Sequence, residues 1–288
     1  MRRFVVIMAL ALVGCAQPPP PVATDNRPPD LAPRYPSWDE VPAPTQFPPT
    51  EANWHPLSPV EGQQLVGGAS LTKVSVAHHG RSLDLQLIVF DSRSYDLKVI
   101  DQPEDWAGGG RIKDCMRRAN AVAGVNGGFF TPQFTPMGLM IADGHKTGTW
   151  QPNKLLTGAV VVHRKPQLLW NAETRATDDA SHFIQAGPRL VDAGRPVPKL
   201  ERSKHVTRTF IATDGGHLWA LGIAHSISLG ELAEVLAASG TLPNFRIHRA
   251  LNLDGGRSSA IYCRTAEGHE IVESGWSTVR NYLGIVPR

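Results

Sequence analysis

The sequence predicts an α+β fold, a single domain built on a large mixed β-sheet with a few helices. Three observations lead there. Short apolar or alternating runs dominate the chain after Pro59, among them "LQLIVFD", "LTGAVVVH", "HFIQAGPRLV", "TRTFIAT", "HLWALGI" and "ALNLD". Gly, Asp and Pro turns separate them, as in "IADGH", "VDAGRP" and "ATDGGH". Two helix-like segments each run directly into a strand, one into "VAGVN" and one into "ALNLD".

The chain opens "MRRFVVIMALALVGCAQ", two arginines, an apolar run and then Gly14-Cys15. The run is too short to span a bilayer, and its basic start fits a secretory signal. Leu12-Val13-Gly14-Cys15 resembles the bacterial lipobox, whose cysteine is acylated, as by palmitate, and becomes the first mature residue. A plain cleaved signal or an uncleaved anchor is the alternative. Residues 1–14 are therefore expected to be a lipoprotein signal peptide, with Cys15 lipidated. Ala16 follows rather than Asp, which resembles the pattern of outer-membrane lipoproteins facing the periplasm. Of the 24 prolines, fourteen lie between Ala16 and Pro59. Such a segment buries little apolar surface and stays extended, so residues 15–59 read as a tether. Trp38, Phe47 and Trp54 are the side chains able to dock its later part. Residues 60–288 remain for the domain.

Without residues 1–14 the chain has 27 basic and 26 acidic residues, a formal charge of +1. That carries no electrostatic footprint for nucleic acid, so no such partner is expected. Cys115 and Cys263 remain in an oxidising compartment, either as one disulfide or as two buried thiols.

The helices have local reasons. In "SLGELAEVLAASG", Ser228 and Glu231 make a capping box, Leu229, Leu232, Val235 and Leu236 share one face, and Gly240 ends the helix. "GRIKDCMRRANA" is a weaker candidate. "RTFIAT-DGG-HLWALGI" reads as a hairpin. Both helix-to-strand units end in glycine-rich turns, which are expected to share one edge of the sheet.

Four pieces carry chemistry. "VNGGFF" holds Asn126, Gly127, Gly128 and Phe129. "IQAGPRLV" holds Gln185 and Gly187. "VTRTFIA" holds Arg208 and Thr209. "LNLDGGRSSAIY" holds Asp254, Gly255, Gly256, Arg257 and Ser258. Each alone is an ordinary turn or strand end. Together, in this order, they resemble the phosphodiester glycosidase family over roughly Leu71 to Val286. "VRNYLGIV" resembles the family's closing strand. Two departures stand out: Arg257 replaces the third glycine of D-G-G-G-S-S, and Ala224-His225-Ser226 stands where the family often has Asp-Gly-Arg.

The resemblance implies a hydrolase that cuts a sugar from a phosphodiester. Charge builds at the anomeric carbon, and carboxylates stabilise or attack it. Asp254 is the expected catalytic carboxylate, and Arg208, with Arg257, the phosphate clamp. The paired glycines would offer backbone N–H donors. Asn126 and Ser258 would hold sugar hydroxyls or orient Asp254, and Phe129 would stack on a ring or join the core. Gln185, Gly187 and Thr209 complete the expected substrate-binding set. Glu231 is read as a cap rather than a second acid. No metal-ligand set is recognisable. Asp254 and Asn126 supply two oxygens, short of a calcium site, so no cofactor is identified and a divalent cation is left open. The expected partners are a glycan or sugar phosphate and, through the lipid, a membrane. A non-catalytic glycan- or phosphate-binding lipoprotein on the same fold is the alternative.

Overall fold

The computed structural model describes residues 54–102, 111–174, 177, 179–242 and 244–288. The expected signal peptide, Cys15, Trp38 and Phe47 lie outside them. In chain order the elements are β1 (His55–Pro56), β2 (Glu61–Gln64), β3 (Ser70–His78), β4 (Arg81–Asp91), β5 (Tyr95–Asp101), α1 (Ile112–Arg118), β6 (Ala123–Asn126), β7 (Met140–Ala142), β8 (His145–Thr147), β9 (Gly158–Val162) and β10 (Pro166–Trp170). There follow β11 (His182–Ala186), β12 (Arg189–Asp192), β13 (Arg195–Pro196), β14 (Val206–Thr213), β15 (Leu218–Ile227), α2 (Leu229–Ala237), β16 (Arg249–Asn252), β17 (Ile261–Arg264), β18 (Glu270–Glu273) and β19 (Asn281–Pro287).

The strands form three sheets. The largest runs β1-β3-β4-β15-β14-β16-β12-β13, with β2 also on β3; the others run β10-β9-β11-β7-β8 and β18-β17-β6-β19-β5. Every pairing among the described residues is antiparallel. This corrects the expected α+β fold with a large mixed sheet: the protein is mostly β. The helix-to-strand order misled because β6 and β16, the strands that follow the helices, belong to different sheets and not to one parallel unit.

Local signals hold where they are strong. The β3–β4 hairpin turns through His79 (φ 46°) and Gly80 (φ 75°), the left-handed pair that suits strand twist. The expected β14–β15 hairpin forms, pairing Thr213 with Trp219. α2 starts at the Ser228–Glu231 capping box, with both reciprocal bonds made.

The large sheet is covered on both faces. Ile88, Ile211, Leu221 and Leu251 meet Ile184 and Val160 of the second sheet and Val125, Ile261 and Leu283 of the third. The opposite face packs Leu85, Leu87, Phe210 and Ala212 against Leu232, Val235 and Leu236 of α2. Burying each leucine, isoleucine, valine or phenylalanine of these layers contributes about 1.5–3 kcal/mol. Trp54 is buried in this layer and β1 pairs with β3, so the described end of the proline-rich segment, from Trp54 on, is docked on the domain.

α1 covers the third sheet with Ile112, Cys115 and Met116 against Tyr262 and Tyr282. Cys115 thus lies in this outer layer and Cys263 in the central core, and the two are not joined as a disulfide. Burial pushes the Cys263 thiol up to about 12.

Candidate active site

β6 and β16 come from separate sheets but end against each other. The Asp254 amide donates to the Gly127 carbonyl (3.0 Å), and Asn126 Nδ2 donates to the Asp254 carbonyl (2.7 Å). Asn126 Oδ1 accepts from Thr209 Oγ1 of β14 (2.7 Å) and from the Ala260 amide (3.1 Å). Thr209 Oγ1 also lies 3.1 Å from Ser259 Oγ. Both Asn126 and Thr209 are fully buried. They hold the loop that carries Asp254, and their polar atoms are engaged inside the protein; of the two roles expected for Asn126, this geometry suits orienting Asp254 rather than holding a sugar hydroxyl. A buried amide with all its polar atoms engaged is costly to disturb, because each orphaned partner loses about 1–3 kcal/mol.

The Asn-Gly-Gly turn is also closed. The Gly127 amide donates to the Asn281 carbonyl (2.9 Å) and the Gly128 amide to Asn281 Oδ1 (2.7 Å). A Cβ on Gly127 would stand 2.0 Å from Asn281 Oδ1; one on Gly128 would stand 3.1 Å from Ile184 Cδ1. These glycines serve close packing, and their N–H groups are not available to a phosphate. Next to Asn281, the buried Arg280 ion-pairs with Asp101 (2.9 Å) and reaches the Phe134 carbonyl (3.3 Å). Phe129 is half-buried beside this loop.

Gln185 and Gly187 are likewise structural. Gln185 Oε1 accepts from the Leu139 and Gln151 amides, and its Nε2 donates to the Gln151 carbonyl. Gly187 precedes a cis proline, its carbonyl accepts from Asn252 Nδ2 (2.9 Å), and a Cβ there would stand 2.1 Å from the Leu155 carbonyl oxygen.

The Asp254 loop is different. Asp254 is half-buried, and its carboxylate accepts from the Gly255 amide (2.9 Å) and from Ser258. Burial outweighs both bonds and holds its pKa above the ordinary aspartate value. Gly256 carries the left-handed backbone (φ 63°), and a Cβ there would meet open space. Arg257 therefore replaces a glycine without needing left-handed backbone. Its side chain is exposed, and its carbonyl accepts from the Trp276 (2.7 Å) and Ser277 (3.2 Å) amides.

Contrary to the expected clamp beside Asp254, the Arg208 guanidinium is held by other groups. Along β14 it alternates with Thr209, so it shares the face of Phe210 and α2, opposite Asn126. Its Nε donates to the Ile227 carbonyl (3.3 Å), and its Nη2 donates to the Lys204 carbonyl (2.9 Å) and Glu201 Oε2 (3.3 Å). Desolvation lowers its pKa. The stem passes Gly255, whose Cβ position lies 3.9 Å from Arg208 Cδ. The guanidinium makes no bond to Asp254, and its Nη1 bonds nothing among the described residues.

Sequence reasoning missed several neighbours. Asn281 offered only a place in a strand motif. His225, at the departure from Asp-Gly-Arg, puts Nε2 3.4 Å from Glu273 Oε1 and Nδ1 3.4 Å from Thr207 Oγ1. Gln86 Nε2 donates to the other Glu273 oxygen (3.0 Å). Strand pairing places Glu273 opposite Ile261, beside the Ser258–Ser259 end of the loop. Glu231 is committed to its cap, to Arg81 (3.2 Å) and to His205 (3.0 Å). A cavity of about 340 Å³ opens beside Ser258. Among the described residues no three His, Cys, Asp or Glu side chains gather to hold a metal.

A protein of Synechocystis described as hypothetical superposes with a TM-score of 0.56 at 17% identity, covering 80% of this chain and 64% of its own. The catalytic domain of zebrafish N-acetylglucosamine-1-phosphodiester alpha-N-acetylglucosaminidase, auto-inhibited by its pro-peptide, superposes with a TM-score of 0.55 at 14% identity, covering 81% of this chain and 86% of its own. At such identities the likeness is one of fold. No curated protein matches the sequence. The sequence profile of the phosphodiester glycosidases matches residues 119–286, more than half of the chain, and includes the Asn126, Arg208 and Asp254 pieces. The chain belongs to the phosphodiester glycosidase family.

Proposed function

We propose that the protein is a lipid-anchored cell-envelope hydrolase that cleaves a glycosyl-1-phosphodiester in a glycan or glycoconjugate. The observation that carries this reading is Asp254: a half-buried carboxyl at the end of β16, raised in pKa, oriented by Ser258 and a backbone amide. Such a group is suited to attack or stabilise an anomeric carbon gaining oxocarbenium character. Asn126 and Thr209 fix the loop from behind. The phosphate departs with its own negative charge, so it asks less of a general acid than an ordinary alcohol does. Arg208, whose stem passes Gly255, and the exposed Arg257 within the loop are the cations we assign to the phosphate. The His225–Glu273 pair supplies the second ionisable group that the sequence motifs lacked. Anchoring rests on Leu12-Val13-Gly14-Cys15 and the proline-rich stretch after it, with the outer membrane facing the periplasm as the expected location.

A panel of sugar-1-phosphodiesters, α-linked N-acetylglucosamine among them, tests the chemistry. Release of free sugar by the wild type and not by Asp254→Asn supports the hydrolase. Binding without release favours a non-catalytic glycan-binding lipoprotein. For the anchor, Cys15→Ser is expected to leave membranes or stay unprocessed; wild-type fractionation and processing would contradict it.

A further inference from the structure

We propose that the cavity beside Ser258 is a carbohydrate subsite, taking a sugar ring that bears a negative charge, with Trp276 as stacking platform and Arg111 as counter-ion. Trp276 is 93% exposed. Its backbone is nevertheless fixed. The Trp276 and Ser277 amides both donate to the Arg257 carbonyl, and a Cβ on Gly275 would stand 2.8 Å from that same oxygen. An indole presented to water on an anchored segment offers a large apolar face to a ligand. The cavity of about 340 Å³ is the size of a small-ligand site. Among the described residues, its other walls carry the hydroxyl residues Ser258, Ser274, Ser277 and Thr278 and one guanidinium, Arg111. An aromatic face ringed by hydroxyls matches a pyranose, with one apolar face and a polar rim. Arg111 adds preference for a planar or tetrahedral oxyanion.

The position rests on the hydrolase reading: Ser258 bonds Asp254 and also lines the cavity, so a ring seated there lies next to the carboxylate. Arg257, whose side chain departs from the family pattern, holds the platform through its backbone.

The test uses Asp254→Asn protein, which keeps ligands uncleaved, titrated with N-acetylglucosamine-1-phosphate, a hexuronic acid, a neutral methyl glycoside and inorganic phosphate. Tryptophan fluorescence and calorimetry read the binding. Both anionic sugars should bind about tenfold tighter than the neutral glycoside, and the tighter of the two identifies the charge as phosphate or carboxylate. Trp276→Ala should weaken all sugars about tenfold or more, with Trp276→Phe retaining most affinity. Arg111→Gln should remove only the anionic preference. Unchanged affinity in Trp276→Ala, inorganic phosphate binding as tightly as the sugar phosphate, or no binding at all would overturn the proposal. Wild-type turnover separates the two readings. Trp276-dependent binding without turnover leaves the subsite standing and the hydrolase not. Turnover with KM indifferent to Trp276 does the reverse.

Discussion

Asn126-Gly127-Gly128 and Asp254-Gly255-Gly256 are near copies in sequence, each an oxygen-bearing residue and two glycines at the end of a strand, and the fold uses them in opposite ways. In the first turn both glycine amides are taken by Asn281, and neither glycine has room for a Cβ without displacing Asn281 or Ile184. In the second, Gly255 serves the carboxylate of its own neighbour and Gly256 faces open space. One turn is an anchor and the other an opening. A glycine pair announces close approach, but whether the approaching group is the protein or a ligand depends on which strand lies opposite.

The largest expected effect tests the open turn. Asp254→Asn should lower turnover by about 10³-fold or more, as loss of a central catalytic group does. It should not lower stability. Burial raises the folded-state pKa of Asp254 above its ordinary 3.8, so ionisation costs stability. That cost is absent below 3.8, accrues as pH rises to the folded-state value and is full above it. The amide escapes it, so thermal unfolding at neutral pH should show Tm unchanged or higher. For the wild type, the acid limb of kcat/KM should lie above 3.8, which a pH profile checks.

The next effect tests the anchored turn. Gly127→Ala places a methyl 2.0 Å from Asn281 Oδ1 and should cost about 1–3 kcal/mol in denaturant unfolding. Asn281→Ala orphans the Gly128 amide and should cost a similar amount. The double variant should cost less than the sum, because both changes break one contact. Additive costs would mean the turn is not held by Asn281.

Smaller still is Gly256→Ala, with space but left-handed backbone; about 1 kcal/mol is expected from conformation alone. Arg257→Gly should be smallest, within about 0.5 kcal/mol, since the side chain is exposed and only its carbonyl is used.

The sequence carried what local physics decides. The capping box at Ser228–Glu231, the β14–β15 hairpin and the abrupt end of β16 are legible because their causes lie within a few residues. Long-range partnerships are not. Asn281 reaches Gly128 across 153 positions, and no spacing rule announces it. Arg208 was read as a clamp from its motif, yet strand alternation and Glu201 turn its guanidinium toward α2. His225 and Glu273 come together only because the large sheet and the third sheet face each other. The mixed sheet failed for the same reason: helix order showed which segment came next, not which sheet received it.

The division between the turns is tested most directly by a crystal structure of Asp254→Asn with an uncleaved sugar-1-phosphodiester bound. The expected result places the anomeric carbon against residue 254 and Ser258, with the Gly127 and Gly128 amides still donating to Asn281. A phosphate seated on those two amides, or a ligand with no contact to the Asp254 loop, would contradict the account.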